Sequence, residues 1–125
     1  VFICLENKES ISELVDSWEQ KYPGKKKGIF MPNDTHANVL LNILFQKYGH
    51  LPDTYKIVGF DNSPISEEAV IPISTVGQQI SCIAAEAMSL LSSLMNERKK
   101  RKPVPLKEPI HKIITPVLIR RNTTG

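Results

Sequence analysis

Cysteine is scarce: the 125 residues include two, Cys4 and Cys82. They lie far apart and match no metal-ligand spacing, so neither a disulfide framework nor a zinc site is expected. Each sits within an apolar run, where a free cysteine behaves as a small buried hydrophobe. Histidine is equally sparse. His36, His50 and His111 are scattered along the chain, and no HxxxH pair occurs. No apolar stretch approaches the roughly 20 residues that a membrane span requires. The opening Val1-Phe2-Ile3-Cys4 is apolar but lacks a basic flank and a cleavage site, so it does not read as a signal peptide. The chain starts without Met, inside what reads as a strand, and is expected to be cut from a longer protein. GxGxxG, Walker A and GxSxG motifs are all missing. Internal repeats and low-complexity tracts are missing too. The motif-bearing nucleotide, metal and serine-hydrolase classes are therefore without support. No cofactor, no metal and no catalytic residue is expected.

What is present suits one domain or part of one. Apolar residues make up 41% of the chain, enough for a core, and the charged fraction of 23% is ordinary. The net charge of +3 hides an asymmetry. Residues 1–96 hold seven basic and eleven acidic residues, whereas 97–125 hold nine basic and two acidic, which concentrates positive charge late in the chain. Much of that excess is Arg98-Lys99-Lys100-Arg101-Lys102. Such a run can be a solvated helix C-terminus, where cations are favoured by the helix dipole. It can also contact a phosphate backbone.

Val1 to Leu5 reads as a buried strand. Ser10-Ile11-Ser12-Glu13 has capping-box spacing, with Ser10 as cap. Ile11, Leu14, Val15, Trp18 and Tyr22 then recur at helical spacing, and Pro23-Gly24 stops that helix. Gly28 to Met31 is a second short apolar run. Asn33 or Asp34 is a natural cap for a helix that carries Ala37, Leu40, Leu41, Leu44, Phe45 and Tyr48 on one face, with Gly49 as its stop. Tyr55 to Phe60 is a third strand, ending in Asp61-Asn62. Strands alternating with helices indicate βαβ units and a parallel sheet with consecutive strands side by side. Beyond Asp61 the pattern breaks at Pro64 and Pro72, and Ile73 to Val76 reads as a brief extended segment. A longer helix carries Ile80, Ile83, Ala84, Ala87, Met88, Leu91, Leu94 and Met95. Lys102 to Glu108 is a proline-marked loop, and Ile110 to Ile119 reads as one or two closing strands.

In open parallel α/β sheets, ligands bind beyond the carboxyl ends of the strands. Two strand ends here are polar, Asn33-Asp34 and Asp61-Asn62. A carboxylate and a carboxamide there suit a neutral polyol, because together they accept and donate hydrogen bonds to hydroxyls. Equally, Asn33 and Asp34 can simply cap a helix while Asp61 and Asn62 turn the chain. A third reading pairs Asp34 with Asp61 as a phosphoacceptor or enzyme site.

The order of motifs carries more than any one of them. Ile29-Phe30-Met31-Pro32-Asn33-Asp34 is followed by a helix ending Lys47-Tyr48-Gly49-His50-Leu51-Pro52-Asp53. Then come Ile57-Val58-Gly59-Phe60-Asp61-Asn62, Pro72-Ile73-Ser74-Thr75-Val76-Gly77-Gln78 and Pro116-Val117-Leu118-Ile119-Arg120-Arg121-Asn122-Thr123-Thr124. Over essentially its whole length the chain resembles the C-terminal half of effector-binding domains in the LacI/GalR family of bacterial transcriptional regulators. Thr35-His36-Ala37-Asn38 and Ser74-Thr75 depart from the usual family residues.

The resemblance implies an α/β fold of three layers with a parallel sheet, periplasmic-binding-protein-like of type I. Residues 1–76 would form the C-terminal effector subdomain core. Residues 77–109 would be a crossover helix and loop belonging to the other subdomain, whose absence would leave that helix's apolar face uncovered. Residues 110–125 would be closing strands and tail. It also implies a ligand-binding role for Asn33, Asp61 and Gln78, and a homodimer interface drawing on Thr35, His36, Val39, Pro64 and Ile65. The expected partners are a small effector, a sugar above all, a second copy of the chain, and operator DNA reached through a domain outside it. A cytoplasmic repressor with no enzymatic activity follows from the resemblance. The rival readings are a periplasmic sugar-binding protein of a transporter and the enzyme or phosphoacceptor domain.

Overall fold

The computed structural model describes residues 8–125. The expected strand at Val1–Leu5, with Cys4, lies outside them. The chain divides into two units. One runs up to Gly77 and resumes at Leu118–Gly125; the other is Gln78–Val117.

The first unit is built as α1 (Lys8–Lys21), β1 (Lys27–Phe30), α2 (Asp34–Tyr48), β2 (Tyr55–Phe60), the one-turn α3 (Ile65–Glu68) and β3 (Ser74–Gly77). At the other end of the chain come β4 (Val117–Ile119) and a 3-10 turn at Asn122–Thr124. The strands lie in the order β1-β2-β3-β4. β1 pairs parallel with β2 and β2 parallel with β3, with Phe30 opposite Val58 and Phe60 opposite Val76. Consecutive strands therefore sit side by side, as right-handed crossovers demand.

Helix α2 forms where its pattern places it. Asn33 is the cap: it is extended, and its side-chain oxygen accepts the His36 N–H at 2.8 Å. Gly49 closes the helix at φ 74°, and its N–H donates to the Phe45 carbonyl at 2.8 Å. A left-handed residue here satisfies a carbonyl that the helix leaves unpaired, and glycine adopts that conformation without a Cβ clash. Ala37, Leu40, Leu41 and Leu44 are buried, and Ile43 joins them from outside the expected stripe. They pack with Ile11 and Val15 of α1 and with Met31, Tyr55, Ile57 and Ile73 to make the core.

Helix α1 differs from expectation at its start. It is already helical at Lys8, so Ser10 and Glu13 lie inside it and do not form the cap. Capping-box spacing recurs by chance within helices, and the apolar stripe was equally compatible with a start one turn earlier. Its lower half ties to the sheet through polar groups. Glu19 accepts from the Tyr55 hydroxyl and pairs with Lys27 at 3.1 Å. Those hydrogen bonds, Tyr55 first and then Lys27, hold the Glu19 carboxyl below its usual range. Burial, reinforced by the Glu19 bond, raises the Tyr55 phenol.

One buried hydroxyl makes two of the bonds that hold the C-terminal turn to the sheet. Thr123 is fully buried. Its Oγ1 donates to the Ile57 carbonyl at 2.6 Å and accepts from the Ser74 N–H at 2.9 Å. Thr123→Val keeps the shape and removes both bonds. We expect a loss of about 1–2 kcal/mol, since a buried donor and acceptor are left unmatched. Urea titration should show the midpoint falling with the slope unchanged.

The second unit is dominated by α4 (Ile80–Arg98), entered through Gln79 in a left-handed conformation at φ 56°. None of its residues is buried. Ile80, Met88, Leu91 and Met95 are all exposed, so the apolar face read from the sequence is uncovered among the described residues. Cys82 is exposed with it, contrary to the expectation of a buried cysteine. The reason is that the apolar run around it faces solvent and not a core. The segment read as closing strands is extended only over Val117–Ile119; Ile110 to Pro116 has no regular structure. No described helix is long and apolar enough to cross a membrane.

Candidate functional site

The register of the sheet sets the polar strand ends. Phe30 faces Val58 across the β1–β2 ladder. Asn33 lies just beyond the end of β1 and Asp61 directly follows β2, so both belong to the carboxyl edge of neighbouring parallel strands. The aromatic rings that end the two strands meet edge to face, Phe30 against Phe60 at 6.3 Å and 75°.

Asn33 does two jobs with one group. Its Oδ1 takes the His36 N–H, and the His36 Nδ1 lies 2.7 Å from the same oxygen. The carboxamide oxygen is therefore spent on the cap. The N–H₂ half is what Asn33 can offer to a ligand, as a donor.

Asp61 and Asn62 have positive φ, 100° and 51°. Asp and Asn enter this region more readily than other residues, yet two in succession is unfavourable without support. The support is visible. The Asp61 N–H donates to the Val76 carbonyl at 2.9 Å, and the Asn62 N–H to Thr75 Oγ1 at 3.2 Å. The turn thus swings the chain off the end of β2 while staying anchored to β3.

Beneath this edge lies Asp34, 1% exposed. Its Oδ2 accepts from the Ser63 N–H at 2.7 Å and the Ser63 hydroxyl at 3.0 Å. Its Oδ1 accepts from the Thr75 hydroxyl at 2.6 Å. One carboxylate so joins the start of α2, the loop after β2 and strand β3. Both oxygens are engaged, and neither is open to a substrate. The pairing of Asp34 with Asp61 as phosphoacceptors therefore loses its first member: Asp34 is a structural clasp. It also explains Gly59, whose φ is not positive. A methyl group there would overlap Asp34 Oδ1 and sit 3.2 Å from the Asp34 Cα.

Arg121 completes the arrangement and was legible only as part of a terminal motif. Its guanidinium donates to Asn62 Oδ1 at 2.9 Å, Glu67 Oε1 at 2.8 Å, Ser66 Oγ at 3.1 Å and the Ile73 carbonyl at 3.0 Å. Gln78 follows β3 directly and is the first residue of the second unit. Among the residues expected at an interface, Thr35 and Pro64 are exposed, and His36, Val39 and Ile65 are half-buried. Beside them is a shallow cleft of about 320 Å³ lined by Lys8, Val39, Asn42, Phe45, Gln46 and Val70. Among the described residues, no group of acidic, histidine or cysteine side chains is arranged to hold a metal ion.

A family model for periplasmic binding protein-like domains matches residues 2–124. The chain belongs to that family. Its parallel sheet with polar strand ends is the corresponding part of such a domain. No curated protein sequence matches the chain. Solved structures do. A putative LacI-family transcriptional regulator from Sanguibacter keddieii is 22% identical, with a TM-score of 0.74 over 94% of this chain and 41% of that one. A LacI-family regulator from Silicibacter pomeroyi is 27% identical, with a TM-score of 0.72 over 94% and 39%. A LacI-family regulator from Lactobacillus casei, solved with bound sucrose, is 21% identical, with a TM-score of 0.67 over 94% and 39%. The chain spans about two fifths of the length of these structures.

Proposed function

We propose that the chain is the effector-sensing and dimerisation part of a bacterial transcriptional repressor that responds to a sugar. The observation that carries this reading is the polar carboxyl edge of the parallel sheet, where Asn33 comes after β1 and Asp61 after β2. There a donor amide and an acceptor carboxylate can share a hydroxylated ligand. The neighbours add weight: besides the sucrose-bound regulator, one is a cellobiose complex of a transcriptional regulator and another a ribose operon repressor. Gln78 would serve as a further polar contact. The ligand closes two subdomains and shifts the equilibrium between DNA-competent and DNA-incompetent dimers. The dimer would use α2 and α3, through Thr35, His36, Val39, Pro64 and Ile65, next to the 320 Å³ cleft. Operator DNA would be held by a domain outside this chain, in the cytoplasm.

The test is calorimetry of the full-length gene product against sucrose, cellobiose, glucose and ribose, with operator binding measured alongside. We expect one of them to bind, and Asp61→Ala to weaken it about 10- to 100-fold, the worth of a charge-assisted hydrogen bond, while operator affinity is retained. Silence toward all four sugars, with operator binding unmoved, sinks the sensor reading. Sugar binding by a product that binds no DNA favours the transport-protein reading instead.

A further inference from the structure

Arg121 sits where three segments of the first unit meet. Its backbone is fixed first: the Arg121 N–H donates to Ser74 Oγ at 2.7 Å, which anchors it to the start of β3. Its side chain is 13% exposed, whereas that of its ion-pair partner Glu67 is 70% exposed. The Glu67 pair alone would be a weak surface contact. The other three bonds set the geometry. Nη1 reaches Ser66 Oγ and the Ile73 carbonyl, and Nη2 reaches Asn62 Oδ1. Ser66 is fully buried, and its hydroxyl donates in turn to the Ser63 carbonyl at 2.7 Å. Ser63 is the residue that Asp34 clasps.

The guanidinium thus touches the positive-φ turn at Asn62, helix α3 at Ser66 and Glu67, and the entry to β3 at Ile73. A planar fork with five N–H donors can serve four acceptors in fixed directions, which an ammonium cannot. We propose that Arg121 is a positioning residue that holds the Asp61–Asn62 turn in its ligand-facing shape and couples that turn to α3. The ligand-facing part rests on the reading of Asp61 given above; the coupling does not. A change at the turn is carried to the segment holding Pro64 and Ile65 because one rigid group binds both. Loss of the Asn62 bond leaves the fork less fixed and so loosens its hold on Ser66 and Glu67.

Amide hydrogen exchange on the ligand-free full-length protein tests this. Arg121→Met should speed exchange about 10- to 100-fold, as loss of charge-assisted bonds implies, at Asn62, Ser63, Ser66, Glu67 and Ala69. The α2 amides of Ala37 and Gly49 should not move. Arg121→Lys should fail to restore the native rates. The gentler Asn62→Gly removes the side-chain bond and keeps a residue at ease with the positive φ of that position. It should speed the Ser66 and Glu67 amides when Arg121 is present and have no such effect in the Arg121→Lys or Arg121→Met background. Equal acceleration at every amide, native rates in Arg121→Lys, or an Asn62→Gly effect that is the same in all backgrounds would each overturn the proposal. Calorimetry of Asp61→Ala separates the two readings. A sound exchange cycle in a protein that binds no sugar sinks only the ligand reading, and a failed cycle in a sugar binder sinks only the coupling.

Discussion

Asp34→Ala should be the most damaging single polar substitution in the first unit, lowering stability by about 4 kcal/mol. Three donors lose their acceptor at once: the Ser63 N–H, the Ser63 hydroxyl and the Thr75 hydroxyl. Hydrogen bonds to a charged group contribute roughly 1.5–3 kcal/mol each, and they are not additive, so the total falls below their sum. Domains of this size are stable by about 5–15 kcal/mol, which places the variant near the edge of folding. The control is Ser63→Ala, which removes only the longest of the three bonds. Asp34→Asn lies between the two, since the amide can keep Thr75 but turns a donor toward the Ser63 N–H. Urea midpoints for the three variants decide the matter. If Asp34→Ala proves no worse than Ser63→Ala, the clasp is not a clasp.

What could be read from the sequence divides by distance along the chain. Helix α2 was legible from cap to stop because its signals are local: Asn33 at one end, Gly49 at the other, and an apolar stripe between. Strand β2 was legible for the same reason, and the side-by-side order of the strands followed from short parallel crossovers. The role of Asp34 was not. Its partners lie 29 and 41 residues away, at Ser63 and Thr75. A capping aspartate and a clasping aspartate look identical until the strands are paired. Arg121 makes the same point at greater range, reaching Asn62 across 59 residues. The part played by Ser66, in a stretch that read as broken by prolines, was hidden as well.

Local signals also misled where they stood alone. The capping-box spacing at Ser10–Glu13 is real, but the helix runs past it, because nothing in four residues excludes an earlier start. Apolar periodicity in α4 gave the helix, and the apolar face expected to lack a cover is exposed among the described residues. Periodicity reports which side of a helix is apolar, not whether anything covers that side. Cys82, expected to be buried because its run is apolar, is exposed on that uncovered helix. The candidate ligand groups fared between these extremes. Asn33 was readable as a cap and as a pocket residue, and the geometry allows both, because one half of its carboxamide caps while the other half stays available. Asp61 was readable as a turn or a site. Its positive φ shows that it turns the chain off the end of β2, and the site reading of its carboxylate remains a proposal.

Gly59→Ala should destabilise by about 3 kcal/mol, the upper part of the range for overpacking. Backbone freedom is not the reason, since φ at Gly59 is not positive. Space is. A Cβ there would collide with the Asp34 carboxylate and press on the Asp34 backbone 3.2 Å away. The carboxylate cannot retreat, because Ser63 and Thr75 hold both oxygens. The glycine and the aspartate are thus two halves of one device, and a double-mutant cycle reveals it. With Asp34 already replaced by Ala, the collision with Oδ1 disappears and only the pressure on the Cα remains. Gly59→Ala should then cost about 1–2 kcal/mol less than in the native background, a coupling typical of residues in contact. The same variant should loosen the Asn62 and Ser63 amides, because the carboxylate it displaces is the one that fixes the turn carrying Asp61. Strict additivity in the cycle, or a harmless Gly59→Ala, would mean that something other than Asp34 demands the glycine. It would also mean that the turn beside Asn33 is held without the clasp.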